Sequence, residues 1–269
     1  PSHAMATVNA DGTVNLVEGS PDIGGTRVSV SQQFADVLGI AVEDVRPQVA
    51  DTASIGFTSS TGGSGVTFKM GTACYEAAQD VVRQLVERAA KIWEVSPDQV
   101  EYGGGVLRHK QDSELTMTLS ELAPRLNGSG GPIMGRGNVN PSGVGNAFAH
   151  HIVDVEVDTD TGKVEILRYT ALQDVGRAIH PTYVEGQIQG GAVQGIGRAL
   201  SEELLIDPVT GRVRNPSLST YLMPLALDVP EIENILVNVP SEDGTFGARA
   251  VAEPPGFGPP AAIANAIYD

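Results

Sequence analysis

Glu253 lies in the stretch Ala-Arg-Ala-Val-Ala-Glu-Pro-Pro-Gly-Phe-Gly-Pro-Pro, just ahead of an apolar helical pattern. A carboxylate packed among Ala250, Val251, Ala252, Pro254 and Phe257 would be desolvated, which raises its pKa and makes it a better base near neutral pH. Pro254 and Pro255 would stiffen the loop that aims it. The alternative is a surface glutamate in a turn. A second candidate is the run Thr-Ser-Ser-Thr-Gly-Gly-Ser-Gly at residues 58–65, whose last members, Thr61, Gly62, Gly63, Ser64 and Gly65, open a long helical pattern. Successive backbone N–H groups at a helix N-terminus favour an anion such as a phosphate or pyrophosphate. The run is not a P-loop, because Lys-Ser/Thr does not follow its last glycine. Nor is it a dinucleotide fingerprint, because no suitable strand leads straight into it. An ordinary flexible turn is the alternative. Gly24, Gly25 and Thr26 form another glycine loop running into a helix.

The segment from Pro181 to Leu205 is a third candidate. Its apolar spacing is helical, yet it holds Gly186, Gly190, Gly191, Gly195 and Gly197. Each interior glycine costs a helix about 1 kcal/mol relative to alanine. A compensating close approach is implied, to another backbone or to a bulky ligand, with Gln194 projecting from a glycine-lined face. Tight helix packing alone would explain the glycines equally well.

The elements that must position these residues can be read from periodicity. "MATVNADGTVNLVEG" alternates about Asp11-Gly12, a hairpin signal. "VSVSQQFADVLG" reads as a helix stopped by Gly39, followed by a strand in "DVRPQVAD" and loop chemistry over residues 51–65. Ala73, Ala77, Val81, Leu85, Ala89 and Ile92 mark a long amphipathic helix from Val66 to Trp93. "SPDQVEYGGGVLRHK" reads as a turn and hairpin, and Thr118 with Glu121 forms a capping box for a short helix. The Gly/Pro/Asn-rich residues 127–146 are expected to be a connecting loop between a first half, 1–126, carrying the glycine loops, and a second half, 147–269, carrying Gln194 and Glu253. "HIVDVEVDTDTGKVEILRYTALQDVG" opens the second half as a long hairpin, and the class expected is α+β.

Composition narrows the partners. The 269 residues include 33 acidic and 17 basic side chains, a net charge of −16, so the surface should repel nucleic acid and anionic membranes. The one cysteine, Cys74, allows no internal disulfide and is compatible with a reducing, cytoplasmic compartment. No Cys/His cluster has zinc or iron–sulfur spacing, so a redox metal must be held otherwise or by another chain. No stretch reaches the roughly 20 apolar residues of a membrane span.

Five segments, "DIGGTRVSVSQQFADVLGI", "DTASIGFTSSTGGSGVTFKMGTACYEAA", "LQDVGRAIHPTYVEGQIQGGAVQGIGRALSEELLID", "NPSLSTYLMPLALDVPEI" and "GARAVAEPPGFGPPAAIANAI", occur in an order and spacing that resemble the xanthine dehydrogenase/aldehyde oxidoreductase family of molybdenum hydroxylases. The chain is similar to the C-terminal part of their molybdopterin-binding subunit, from about residue 5 onward. The resemblance implies a molybdenum–molybdopterin cofactor in cytosine dinucleotide form, laid on the Thr61–Gly65 loop with Gly63 nearest the metal and Gln194 in contact. It implies Glu253 as a general base, taking a proton from the oxygen that attacks an electrophilic sp² carbon. Where the family often reads Gly-Gln-Gly, this chain has Gly24-Gly25-Thr26, and where it reads Gly-Val-Gly-Glu, this chain has Ala250-Val251-Ala252-Glu253. The family's first half is absent from the sequence, which implies a split gene or a processed fragment. The expected partners are therefore a chain carrying that N-terminal half, a [2Fe–2S] subunit, an FAD subunit and a small-molecule substrate, either an N-heterocycle or an aldehyde. A CO dehydrogenase component and a non-catalytic cofactor storage or assembly module remain as alternatives.

Overall fold

Alternation on either side of Asp11-Gly12 produces β1 (Ser2–Val8) and β2 (Val14–Glu18), paired antiparallel with Val8 opposite Val14. The Asp11 carboxylate accepts the Thr13 N–H at 3.0 Å and shapes the turn. The protein's structure, a computed structural model, describes residues 1–49, 54–141, 143 and 146–269. It divides into two compact units, Pro1–Val144 with Glu242–Ala248, and Gly145–Ser241 with Arg249–Asp269.

In the first unit, α1 (Thr26–Leu38) crosses from β2 to the parallel strand β3 (Val45–Val49) and ends at Gly39, whose φ of 62° closes the helix. The strand was expected to run to Asp51; Ala50 and Asp51 lie outside the described residues. α2 (Val66–Trp93) has the expected bounds and buries Ala73, Cys74, Ala77, Val81, Leu85 and Ala89 along one face. Each such valine or leucine contributes about 1.5–3 kcal/mol by leaving water. A three-stranded antiparallel sheet follows, from β4 (Val100–Gly103), β5 (Val106–His109) and β6 (Thr116–Thr118). α3 (Leu119–Leu122) starts at the Thr118/Glu121 capping box, and α4 (Leu126–Ser129) comes next.

Residues 127–146 are not simply a connector. They contain β7 (Met134–Val139), antiparallel to β1, which completes a four-stranded sheet in the order β3-β2-β1-β7. The glycines that read as loop have a packing origin. A Cβ on Gly137 would overlap the carbonyl of Ala73, and one on Gly135 that of Ala77, so β7 lies directly on the backbone of α2.

The second unit holds a three-stranded sheet in the order β10-β9-β8. β8 (Phe148–Val157) and β9 (Val164–Asp174) form the expected hairpin, turned by Asp158, whose carboxylate accepts the Thr161 N–H. α5 (Pro181–Leu200) ends five residues earlier than the glycine-rich pattern suggested, and a long irregular stretch leads to β10 (Ile232–Val237), parallel to β9. α6 (Pro259–Tyr268) closes the chain. The core joins Tyr169 and Ala171 of β9 to Ile188, Ala192 and Ile196 of α5 and to Ile263 of α6. The architecture is α+β with mixed sheets. No helix among the described residues is long and apolar enough to cross a membrane.

Candidate cofactor-binding site

In the first unit the loop before α2 is pinned by Ser59, whose N–H and hydroxyl both donate to the Pro1 carbonyl, at 3.0 and 3.2 Å. Beyond it Gly63 (φ 64°) and Ser64 (φ 52°) turn left-handed into the helix. Gly65 caps α2 without any side-chain acceptor, so the first N–H groups of the helix point outward with no intrahelical partner. A Cβ on Gly62 or Gly63 would meet nothing within 4 Å, which leaves their backbone open.

Beside this loop is a hollow of about 260 Å³, part of it open solvent, lined by Ser2, Ser20, residues 58–62, Gly65, Val66, Lys69 and Met70. Thr58 Oγ1 is buried there without a hydrogen-bond partner among the described residues. Ser20 donates to Glu18 Oε2 at 3.0 Å, while Glu18 Oε1 has no such partner. Burial pushes the Glu18 carboxyl up to about 7, so it is partly neutral at physiological pH. The same burial, with Glu18 nearby, raises the Cys74 thiol well above its usual value. Periodicity could have found Glu18, which shares the inward parity of Val14 and Leu16 on β2.

Gly24 (φ 61°) and Gly25 (φ 76°) adopt the left-handed turn that only glycine makes easily. Thr26 is committed to its own loop, with Oγ1 accepting the Ile23 N–H at 3.2 Å.

In the second unit the five glycines of α5 separate into two sets. Gly191, Gly195 and Gly197 are packing glycines. A Cβ would approach Pro255 to 2.9 Å from Gly191, Pro259 to 2.5 Å from Gly195 and Pro224 to 2.7 Å from Gly197. Gly186 and Gly190 meet nothing within 4 Å and, with Gln194 at the same four-residue spacing, form one exposed line. Of the two explanations left open by the sequence, tight packing therefore holds for three of the five, which serve the proline segments that follow Gly197 in the chain.

Glu253 also differs from expectation. It is exposed, as is Phe257 at 72%, so the small residues around it do not desolvate its carboxylate within this chain. They fix its backbone instead. Gln173, 1% exposed, donates through Nε2 to the carbonyls of Ala250 and Val251, both at 3.1 Å. Arg249 pairs with Asp174 at 3.3 Å, donates to the Asn146 carbonyl at 2.7 Å, and its N–H bonds to the Val175 carbonyl. After Glu253, Pro255 seats on Gly191, and Gln194 Oε1 lies 3.5 Å from where a Cβ on Gly256 would stand. His151 backs the next turn, with Nδ1 2.9 Å from the Tyr169 hydroxyl and its ring against Gly258. Burial holds the His151 pKa below its usual value and raises that of Tyr169. The fold thus brings Gln194 to the turn that follows Glu253. Gln173 escaped sequence reading, although the alternation Tyr169, Ala171, Gln173 already placed an amide on the inward face.

In the first unit two glycine loops open helices, and in the second an open glycine line runs beside Gln194; each is exposed backbone suited to a polar, multiply hydrogen-bonding group. The residues therefore fit a pterin, and the class is that of a cofactor-binding module. The chain belongs to the molybdopterin cofactor-binding domain family, whose model matches residues 1–230. Among its relatives, the putative xanthine dehydrogenase molybdenum-binding subunit XdhA of Escherichia coli (strain K12) is 32% identical over 273 residues, covering 98% of this chain and 36% of that protein. The carbon monoxide dehydrogenase large chain of Afipia carboxidovorans is 28% identical over 250 residues, covering 91% of this chain and 31% of that one. In structure the chain is similar to CO dehydrogenase from Oligotropha carboxidovorans, with a TM-score of 0.90 at 26% identity, over 100% of this chain and 34% of that one. It is also similar to quinoline 2-oxidoreductase from Pseudomonas putida 86, with a TM-score of 0.88 at 26% identity, over 100% and 35%. The chain thus spans about a third of the length of these relatives.

Proposed function

We propose that the chain is the cofactor-binding portion of a molybdenum hydroxylase that inserts a water-derived oxygen at an sp² carbon of an N-heterocycle or aldehyde. The observation that carries this reading is the exposed backbone of Gly62 and Gly63 at the start of α2, whose N-cap Gly65 has no side chain to cap it, with the orphaned Thr58 hydroxyl near it, in a chain of this family. Thr61–Gly65 and the Gly24–Thr26 turn would hold the pterin and its cytosine nucleotide through backbone N–H groups. Gln194 would hydrogen-bond the cofactor from the exposed line of α5. Among the described residues no cluster of His, Cys, Asp or Glu could hold a metal ion, so molybdenum would arrive on the pterin. When bound, that group supplies the redox centre. The overall reaction, RH + H₂O → ROH + 2H⁺ + 2e⁻, needs an acceptor for a proton at the attacking oxygen, and a Glu253 carboxylate oxygen takes it. The electrons would leave through [2Fe–2S] and FAD partners in the cytoplasm. The substrate pocket would come from the part of the relatives that this chain does not span.

The test is to measure molybdenum and released pterin nucleotide on the protein with its copurifying partners, before and after Glu253→Gln. The proposal expects close to one molybdenum per chain in both, with turnover of an N-heterocycle or aldehyde panel falling by roughly 10²-fold or more in the variant. Full turnover in the variant would remove the assigned base. Absence of molybdenum from the intact complex would favour a storage or scaffold role.

A further inference from the structure

We propose that Gln173 is the positioning residue for Glu253, an inference that rests on the role assigned to Glu253 above. The geometry is specific. Gln173 lies near the end of β9, the central strand of its sheet, opposite Ala149 of β8 and Leu236 of β10. Of the two ends of the amide only the NH₂ can donate to carbonyl oxygens, so the Ala250 and Val251 contacts at 3.1 Å set the orientation of the side chain. Both protons of that NH₂ are then used. They fix the chain three and two residues before Glu253 to the most constrained strand of the unit.

A sheet core rarely holds a glutamine without a reason, because burying a polar group costs free energy unless its bonds are made. Here the cost is only half recovered, since Gln173 Oε1 has no hydrogen-bond partner among the described residues. An apolar residue would serve the core better, so the benefit must lie in what the Nε2 group holds. The backbone bond from Arg249 N–H to the Val175 carbonyl adds a further tie, and Asp174 secures the Arg249 side chain. The Glu253 carboxylate is exposed, and where it reaches depends on how its backbone is placed. A displacement near 1 Å can lower turnover about 100-fold.

The experiment uses the whole protein with its partners and compares the parent with Gln173→Met, which removes both bonds, and Gln173→Asn, which is too short to make both. Crystal structures provide the first readout. Residue 253 is expected to shift by about 1 Å or to occupy several positions in Gln173→Met, and by less in Gln173→Asn. The second readout is turnover per molybdenum of the panel member that the parent oxidises. The expected kcat loss is ~10–100-fold for Met and smaller for Asn, with KM within ~2-fold and cofactor content unchanged. If residue 253 stays in place, or if losses only follow a fall in cofactor content, the inference is overturned. Failure of both variants to fold overturns it as well, because Gln173 would then be a core support. Glu253→Gln is the control: its full activity would defeat the base assignment, while a displaced residue 253 in Gln173→Met would still show the positioning.

Discussion

The two kinds of glycine in α5 can be separated by the same substitution made twice. Gly190→Ala adds a methyl group where nothing lies within 4 Å, and Gly195→Ala adds one 2.5–3.0 Å from the ring atoms Cγ, Cβ and Cδ of Pro259. Both gain the helix propensity of alanine over glycine, about 1 kcal/mol. At Gly190 nothing opposes that gain, so the unfolding temperature of the cofactor-free protein should rise by about 2–4 °C. At Gly195 the methyl group meets a rigid ring on a packed helix, and overpacking costs about 1–3 kcal/mol. The net result there is a loss of up to about 2 kcal/mol. Cofactor content should move the other way at Gly190, where the methyl group occupies the surface assigned to the pterin. Thermal unfolding of the cofactor-free protein and pterin release from the loaded one provide the two measurements. Equal destabilisation by both substitutions would refute the division of the glycines. A stabilised Gly190→Ala protein with undiminished pterin would refute the ligand role of the open line.

Two further outcomes follow from local features. The buried Glu18 carboxyl titrates near 7 in the fold against 4.5 for a free side chain, so its contribution is fully present below about 4.5 and is lost as pH rises through 7. The size is about 3 kcal/mol, and Glu18→Gln should flatten the corresponding slope in denaturant unfolding measured from pH 4.5 to 8; an unchanged slope would show that another group titrates. Thr118→Ala removes the hydroxyl that accepts the Glu121 N–H at 3.2 Å and should cost about 1 kcal/mol in the same assay, while Thr118→Ser should cost little.

Local signals were sufficient where a single element decided them. The β1–β2 hairpin, α2 with its alanine face, the Thr118 capping box and the β8–β9 hairpin all follow from period and turn chemistry. Glycine was the ambiguous letter. Gly135 and Gly137 resembled loop residues because their reason lies in α2, more than fifty residues earlier in the chain. In α5 the sequence cannot distinguish a glycine that meets Pro259 from one that faces open space, since the proline arrives through a tertiary contact. The same limit affected Glu253. Small and apolar neighbours suggested a desolvated carboxylate, yet Ala250 and Val251 direct their carbonyls to Gln173 and leave the acid exposed. The Thr61–Gly65 loop is legible as the lead into α2 because helix N-terminal signals are local, whereas the orphaned Thr58 and Glu18 atoms beside it appear only in three dimensions.

The seven residues Glu242–Ala248 belong to the first unit although they are embedded in the sequence of the second. Thr245 lies 3.4 Å from Thr72, Phe246 meets Tyr75 edge to face, and Gly244 lies against the Phe68 ring, so the insertion is held along the first turns of α2. The polypeptide therefore passes between the units three times, and no single cut yields two complete pieces. A gene fragment ending at the first crossing would lack part of its own core, and its complement would carry an orphan loop. The two units cannot be shuffled as independent cassettes, and recombination that preserves them must exchange the pair together.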